Sequence, residues 1–560
     1  MGGCTSGNRP IKLLSLPYAN IRKEYDVVVV GSGYGGSIAA SRAARMGFSV
    51  AVLEKGKEWP IGSFPETSEQ ACKEIQTNFP SPDSSSSSNL YSWNIQKDVV
   101  IFHGCGLGGT SLINANVNIM PTDKIFEQKE WPTQFRKEWA ETKFSFDVKN
   151  MQDMLRPSLY PDSYPVLPKS KVFQSLSTMS YDIEDLGDVK FTKLPLNVNF
   201  VDVKQNHVGI PQRACTNCGN CTSGCNIGAK NTTYMNYLPD AVNHGAEIFT
   251  ETSVSYLEPD DGKHWIIHYT TPNNNNKNTI RCKYVFLGAG VLGSTEILQR
   301  SAAHGLPLSD RLGQGFSGNG DKLCWSFNGK EVNLSIGRNK KQAKKLSSSP
   351  GPCLTSMLDV RYSEQLENQF VVEDATIPHL LLPSLKALFT LSAGTFLPEY
   401  SQKSLDCTTG YGVMSQDDFK GVLSLNSHDK IQLDWPNVAS QNNFRHAREF
   451  LESTAEYLEA KYVDTLSSSL LGNKMVTVHP LGGCGMGNTI ISGVVSHNCK
   501  VFRKDKGKVD STFDNLFVVD AACIPRCLGI NPSCTISIIA ERAMRLFAKE
   551  IGKPIHYNFM

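Results

Sequence analysis

Gly31, Gly33 and Gly36 stand in the spacing G-x-G-x-x-G, directly after four consecutive valines, Val27 to Val30, and directly before an alanine-rich stretch. A strand that turns sharply into a helix needs glycine at the turn, and the helix N-terminus then offers unpaired N–H groups to an anion. In that arrangement Gly31 makes the turn, Gly33 lets a pyrophosphate reach the backbone and Gly36 lets helix pack on strand, with Tyr34 inside the same motif. Glu54 closes the next apolar run, Phe48 to Leu53, 23 residues after Gly31, where its carboxylate would accept from a ribose 2'-hydroxyl and disfavour a 2'-phosphate. The chemistry expected from this set is dinucleotide binding.

A second glycine-rich segment follows the apolar run Val99 to Phe102 and carries Gly104, Gly106, Gly109, Ser111 and Asn114. One dinucleotide fingerprint does not need a second. A long cofactor such as FAD does, because its flavin lies far from the pyrophosphate and a flat ring needs backbone without side chains beside it. No histidine follows Gly109 to link a flavin covalently, so the expectation is noncovalent FAD.

Cys215, Cys218, Cys221 and Cys225 are spaced C-x-x-C-x-x-C-x-x-x-C. Four thiolates could ligate an iron–sulfur cluster or zinc, although Asn226 stands where ferredoxin runs place proline and zinc sites usually pair two separated C-x-x-C units. The plain alternative, a tight loop of reduced thiols and no metal, is the reading carried forward. The first residues, Met1-Gly2-Gly3-Cys4-Thr5-Ser6, fit a myristoylation pattern at Gly2 with Cys4 suited to palmitoylation. Two acyl chains would anchor the protein peripherally at a membrane where one would not.

The elements that must position these residues follow from periodicity. Val27 to Val30 reads as a strand buried on both faces, and Phe48 to Leu53 as its neighbour. Lys57 to Val100 loses periodicity, with four prolines and the run Ser84 to Ser88, and is expected to be a surface excursion or lid. Thr122 to Phe200 is mixed and proline-punctuated, as in helices and loops of a substrate cap. Thr233 to Ala241 reads as a helix, and Ala246 to Val254, Trp265 to Thr271 and Thr279 to Leu287 as strands, the last two joined across the turn Asn273 to Asn276. Leu292 to Ser301 reads as a helix. Leu323 to Phe327 and Val332 to Ile336 alternate as in an antiparallel sheet, and Leu380 to Leu391 could line an apolar pocket. Val476 to Pro480 is extended and leaves His479 at a strand end, Leu516 to Val519 is a buried strand ending at Asp520, and Asn531-Pro532 opens a helix as N-cap and first turn.

Fifty-six basic and 54 acidic side chains leave a net charge of +2, which gives no electrostatic footprint for nucleic acid. No run approaches 18 apolar residues and no signal-type segment opens the chain, so a cytoplasmic location, with or without acyl anchoring, is the expectation. Sixteen cysteines without a secretory address suggest reduced thiols.

VVVVGSGYGGS with VLEKG, GCGLGGTSLIN, LGAGVLGSTEILQRS, HPLGGCGMG and LGINPSCTISIIAERA, in that order, resemble the glucose-methanol-choline (GMC) oxidoreductases, and within them the bacterial flavin-dependent cholesterol oxidases. The resemblance implies an α/β fold, α+β overall: a Rossmann-like FAD-binding domain with a discontinuous substrate-binding domain built on an antiparallel sheet. After a tail at residues 1–22, residues 23–120, 201–320 and 475–560 would form the FAD-binding part, and 121–200 and 321–474 the substrate-binding part. It places Asp520 near the FAD ribitol, Asn531 and Pro532 at a helix N-terminus aimed at the flavin, and His479, Asn531 and Glu373 in catalysis, Glu373 as the isomerising carboxylate. The activity implied is oxidation of a sterol or similar apolar secondary alcohol, with oxygen going to hydrogen peroxide. The alternatives are a long-chain alcohol oxidase, a GMC dehydrogenase with another acceptor, or a flavin-bearing sterol-binding protein without turnover.

Overall fold

The computed structural model describes residues 13–78, 88–272, 274–339, 349–383, 401–464 and 474–559. Gly2 and Cys4 lie outside the described residues, as do Ser84 to Ser87, Asn273 and the apolar stretch from residue 384.

The first strand, Glu24–Val30, occupies the middle of a mainly parallel sheet, and this explains its uninterrupted valines: Val27, Val28 and Val29 are wholly buried because both faces are covered. Asn274–Leu287 pairs with it in parallel on one side and Val50–Leu53 on the other; Thr512–Val518 and Glu247–Phe249 extend the sheet outward. Strands run out toward Gly31, Glu54, Gly288 and Asp520, so the candidate cofactor residues gather at one sheet end by topology. The helix Tyr34–Arg45 is buried along its whole length against Tyr237–Asn243 and Ser533–Ile551. Its arginines are buried without being unpaired, Arg42 bridging Glu541 at 2.6 Å and Arg45 bridging Asp240 at 2.6 Å.

A six-stranded antiparallel sheet, in the order Lys461–Val463, Lys322–Phe327, Thr409–Ser415, Phe370–Ala375, Ser356–Asp359 and Lys190–Lys193, forms the second layer of interest. The long helix Asn442–Tyr457 packs on it through Ala447, Phe450 and Leu451.

Several expected elements differ. Lys57 to Val100 is more than a surface excursion: among its described residues Ser68–Lys73 is a helix, and Ile75–Thr77 and Tyr91–Ile95 join Val99–Gly104 and Met475–Thr477 in a four-stranded sheet. Short pairing strands rich in polar residues carry no periodic signal. Ala246 to Val254 splits into Glu247–Phe249 and Ser253–Asp260, broken at Glu251, which takes a positive φ of 53°. The first piece belongs to the parallel sheet and the second pairs with His264–Thr271. Val332 to Ile336 forms no strand: Leu334 sits at φ 58°, where alternation of faces is lost, and Ile336 makes a single bridge to Ile377. The C-terminal helix begins at Ser533 with Pro532 as its N-cap, so Asn531 lies one residue outside and caps nothing.

Candidate active site

The two glycine-rich segments meet backbone to backbone. A Cβ on Gly109 would come 2.8 Å from Gly33 Cα, and one on Gly36 would come 2.1 Å from the Gly31 carbonyl, so these positions admit only glycine. Gly31, at φ 87°, abuts Gly288 in the same way. A Cβ on Gly33 itself would meet nothing within 4 Å, which leaves open space before the uncapped N-terminus of Tyr34–Arg45.

Glu54 is buried, and its carboxylate binds protein donors: Ser32 N–H at 3.0 Å and Ser32 Oγ at 2.5 Å on one oxygen, Gly56 N–H at 2.7 Å on the other. Ser32 Oγ also accepts from Gly108 N–H at 2.9 Å, so the acidic residue fastens the first glycine turn to the second segment. Past Gly104 and Gly106 the segment turns through Gly109–Leu112, where Ser111 Oγ donates to the Gly108 carbonyl at 2.6 Å. Asn114 Nδ2 then donates to the Tyr34 hydroxyl at 2.9 Å. Asp520 accepts from Gly290 N–H at 2.8 Å, Ser294 Oγ at 2.6 Å and Ala522 N–H at 2.8 Å, holding together the ends of two sheet connections.

His479 follows the strand Met475–Thr477, and Gly482 and Gly483, at φ 83° and 91°, turn the chain sharply beyond it. Its Nδ1 lies 2.9 Å from Asp321 Oδ1, and its side chain stays 21% exposed. Burial works against the imidazolium, but Asp321, with a smaller contribution from Glu373, holds its pKa above the ordinary histidine value.

Glu373 is not a strand-end charge. It sits inside Phe370–Ala375, 1% exposed, opposite Gly412 and Met357 in the flanking strands. Asn531 Nδ2 donates to its Oε2 at 3.2 Å; its Oε1 has no partner. Burial pushes its pKa up to about 8, against the opposing pull of Asn531 and His479. Having no cap to make, Asn531 is free for this contact, and its Oδ1 is buried without a partner.

The chain thus brings His479, Asn531 and Glu373 to one place from parts of the sequence as far apart as 158 residues. Three buried polar atoms, Asn114 Oδ1, Asn531 Oδ1 and Glu373 Oε1, are left over there and at the end of the second glycine segment. Buried polar atoms are costly without partners, and these suit a polar ligand. Together with the open face at Gly33 and the glycine contacts, they fit a flavin dinucleotide lying along the two segments.

Cys215, Cys218, Cys221 and Cys225 are partly buried free thiols in an irregular loop. Burial raises the pKa of Cys215 and Cys221 and pushes the Cys218 thiol up to about 12. Among the described residues no group of three or more His, Cys, Asp or Glu side chains is arranged to hold a metal ion. The loop is tied to the glycine segment by buried Lys230, whose Nζ donates to the carbonyls of Leu112 at 3.0 Å, Asn114 at 2.9 Å and Cys221 at 3.0 Å.

Sequence reasoning missed Asp321 and Lys230. Asp321 follows Gly318-Asn319-Gly320, a visible turn signal, but nothing local announces a histidine 158 residues away.

A parallel sheet with a glycine cradle at its strand ends and an antiparallel sheet carrying a buried acid define a flavin-type oxidoreductase. Residues 25–319 and 420–540 match the N-terminal and C-terminal GMC oxidoreductase models, and the chain belongs to the GMC oxidoreductase family. It is an FAD-dependent oxidoreductase acting on alcohol-type donors. It is similar to a cholesterol oxidase of Acinetobacter baumannii, 26% identical over 93% of this chain and 94% of that one. It is also similar to a long-chain-alcohol oxidase of Arabidopsis thaliana, 23% identical over 92% of this chain and 67% of that one. A pyridoxine 4-oxidase from Mesorbium loti shares the fold, at TM-score 0.61 and 16% identity over 94% of this chain and 99% of that one. No helix among the described residues is long and apolar enough to cross a membrane.

Proposed function

We propose that the protein oxidises the ring hydroxyl of a sterol, or of a similarly apolar secondary alcohol, and that it isomerises the ketone formed when a double bond lies one carbon away. The observation that carries this reading is the contact of Asn531 with buried Glu373 beside His479. Gly31, Gly33, Tyr34, Gly36, Glu54, Gly104, Gly106, Gly109, Ser111, Asn114, Asp520 and Pro532 would hold FAD noncovalently. Bound FAD supplies the hydride acceptor, and oxygen takes the two electrons on to hydrogen peroxide. The parallel-sheet part would carry the cofactor and the antiparallel sheet would cover the substrate.

An alkoxide is too unstable in water to wait, so the hydroxyl proton must leave as the carbon–hydrogen bond breaks. His479 takes that proton on Nε2, and the second N–H of Asn531 Nδ2 donates to the hydroxyl oxygen and holds it in line, a positioning role of about a few kcal/mol. Glu373, in its carboxylate form, then removes a proton from C4 of a 5-ene-3-ketone and returns it to C6. The double bond moves from C5–C6 to C4–C5 and nothing is consumed. A linear fatty alcohol yields a product with no such double bond, so a buried acid with an unpartnered oxygen favours the sterol over the long-chain alcohol. The test is anaerobic mixing of the yellow protein with a panel of 3-hydroxy-5-ene sterols and fatty alcohols. Loss of flavin absorbance with sterols, followed in air by enone absorbance, is expected; bleaching by fatty alcohols alone would reassign the substrate.

A further inference from the structure

The Asp321 carboxylate makes four hydrogen-bond contacts, and all of them bear on His479. Its Oδ1 faces the imidazole Nδ1 at 2.9 Å. Its Oδ2 accepts from Val478 N–H at 2.8 Å, from His479 N–H at 3.0 Å and from Thr477 Oγ1 at 3.0 Å. The residue is 5% exposed, and the two backbone N–H groups hold its Oδ2, while the single Thr477 hydroxyl proton is shared between Oδ2 and the Gly318 carbonyl at 2.9 Å. One side chain therefore holds both the backbone leading to the histidine and the ring.

We propose that Asp321 is the positioning residue of this site: by accepting the Nδ1 proton it fixes the imidazole in the tautomer whose Nε2 is bare and points its lone pair at the substrate hydroxyl. The inference rests on His479 acting as the proton acceptor. The geometry makes the assignment directional. Two backbone N–H groups and a hydroxyl meet Oδ2, so that atom must be an acceptor, and an asparagine at 321 has to put its oxygen there. Its Nδ2 then faces Nδ1 and donates, which forces the ring to carry its proton on Nε2. The same exchange of a carboxylate for an amide inverts the tautomer in the serine protease triad. Asp321→Asn keeps the backbone contacts and inverts only the ring; Asp321→Glu keeps the charge.

The groups facing His479 are Asp321 from the glycine turn and Glu373 from the antiparallel sheet. Removing the nearer negative charge leaves burial and Glu373 to act alone, so the histidine should protonate at lower pH. The experiment uses the FAD-loaded protein labelled with 15N-histidine, with the His479 signals assigned by comparison with His479→Gln. In the wild type, Nδ1 should carry the proton. In Asp321→Asn, Nε2 should carry it, with a roughly 10²-fold lower rate of flavin reduction and an acid limb of the pH profile moved to lower pH. Asp321→Glu should restore the Nδ1 proton. An Asp321→Asn spectrum with the wild-type tautomer and titration overturns the proposal. The tautomer is read without substrate, so it stands or falls apart from the identity of the alcohol; normal flavin reduction in His479→Gln would instead sink the catalytic reading.

Discussion

Glu54 and Asp520 at the end of the parallel sheet and Glu373 in the antiparallel sheet are buried alike, at 6%, 5% and 1% exposure, yet their surroundings differ in kind. Glu54 and Asp520 each accept three hydrogen bonds from the protein and fix loops. Glu373 accepts one, keeps an oxygen bare and has its pKa pushed up to about 8 by burial. A buried acid whose two oxygens are both held by protein donors stiffens structure, and one left with a bare oxygen suits a reactive role at a cost in stability. Charge is thus used for shape at Glu54 and Asp520, and also at Asp374 beside Glu373, which accepts from both N–H groups and both hydroxyls of Thr355 and Ser356; Glu373 alone of these four is left short.

The largest effect expected breaks the chemical side of that contrast. His479→Ala should slow anaerobic flavin reduction about 10³–10⁴-fold while leaving the flavin bound, because it removes the proton acceptor and touches neither glycine segment. Stopped-flow absorbance at saturating alcohol checks it, and a rate within tenfold of the wild type would refute the assignment.

Glu373→Gln should separate two properties that one residue joins. Oxidation should continue and the 5-ene-3-ketone should accumulate, seen as missing enone absorbance. In the wild type the conjugated fraction should rise with pH through about 8, since the carboxylate is the competent form. Stability should move in the opposite sense. The folded pKa lies above the ordinary value of 4.5, so this group's contribution is fully present below about 4.5 and is lost as pH rises through about 8. Glu373→Gln, which never ionises, should therefore be more stable than the wild type at pH 9, by on the order of 2–4 kcal/mol, and should lose that margin at pH 5. Paired urea titrations at the two pH values measure it; a margin independent of pH would show that Glu373 ionises as readily folded as unfolded.

This contrast also marks what the sequence makes legible. Val27 to Val30, Gly31 and Gly36 are legible as strand, turn and helix because each acts on its chain neighbours, and the close backbone contacts of Gly31 and Gly36 leave no room for a Cβ. The polar short strands Ile75–Thr77 and Tyr91–Ile95 were invisible, since pairing partners and not periodicity create them. Asn531 looks like a helix cap by local preference, whereas its side chain crosses to Glu373. Asp321 was not seen at all: its partner is 158 residues away, and an acid after a glycine turn looks like a solvated loop residue. Local chemistry is written locally, and the acids that tune the site are set by how the two sheets meet.

The smallest predicted effect sharpens the other side of the comparison. If Glu54 serves mainly to hold shape, its charge should matter less than its two acceptor oxygens. Glu54→Gln keeps the volume and turns one oxygen into a donor, which must then face either Ser32, with its N–H and hydroxyl, or the Gly56 N–H. The Gly56 side is the less costly choice, because one donor is displaced there instead of two. A single lost buried hydrogen bond costs about 1–3 kcal/mol. The Gly31 turn and the Gly108 contact made through Ser32 Oγ would survive. Fluorescence titration of the flavin-free protein should therefore show FAD bound roughly 10–100-fold more weakly, with flavin reduction by substrate almost unchanged once the site is filled. A large fall in the reduction rate of the filled enzyme would mean that Glu54 acts on the chemistry, and the division between shaping and reacting acids would fail at its simplest member.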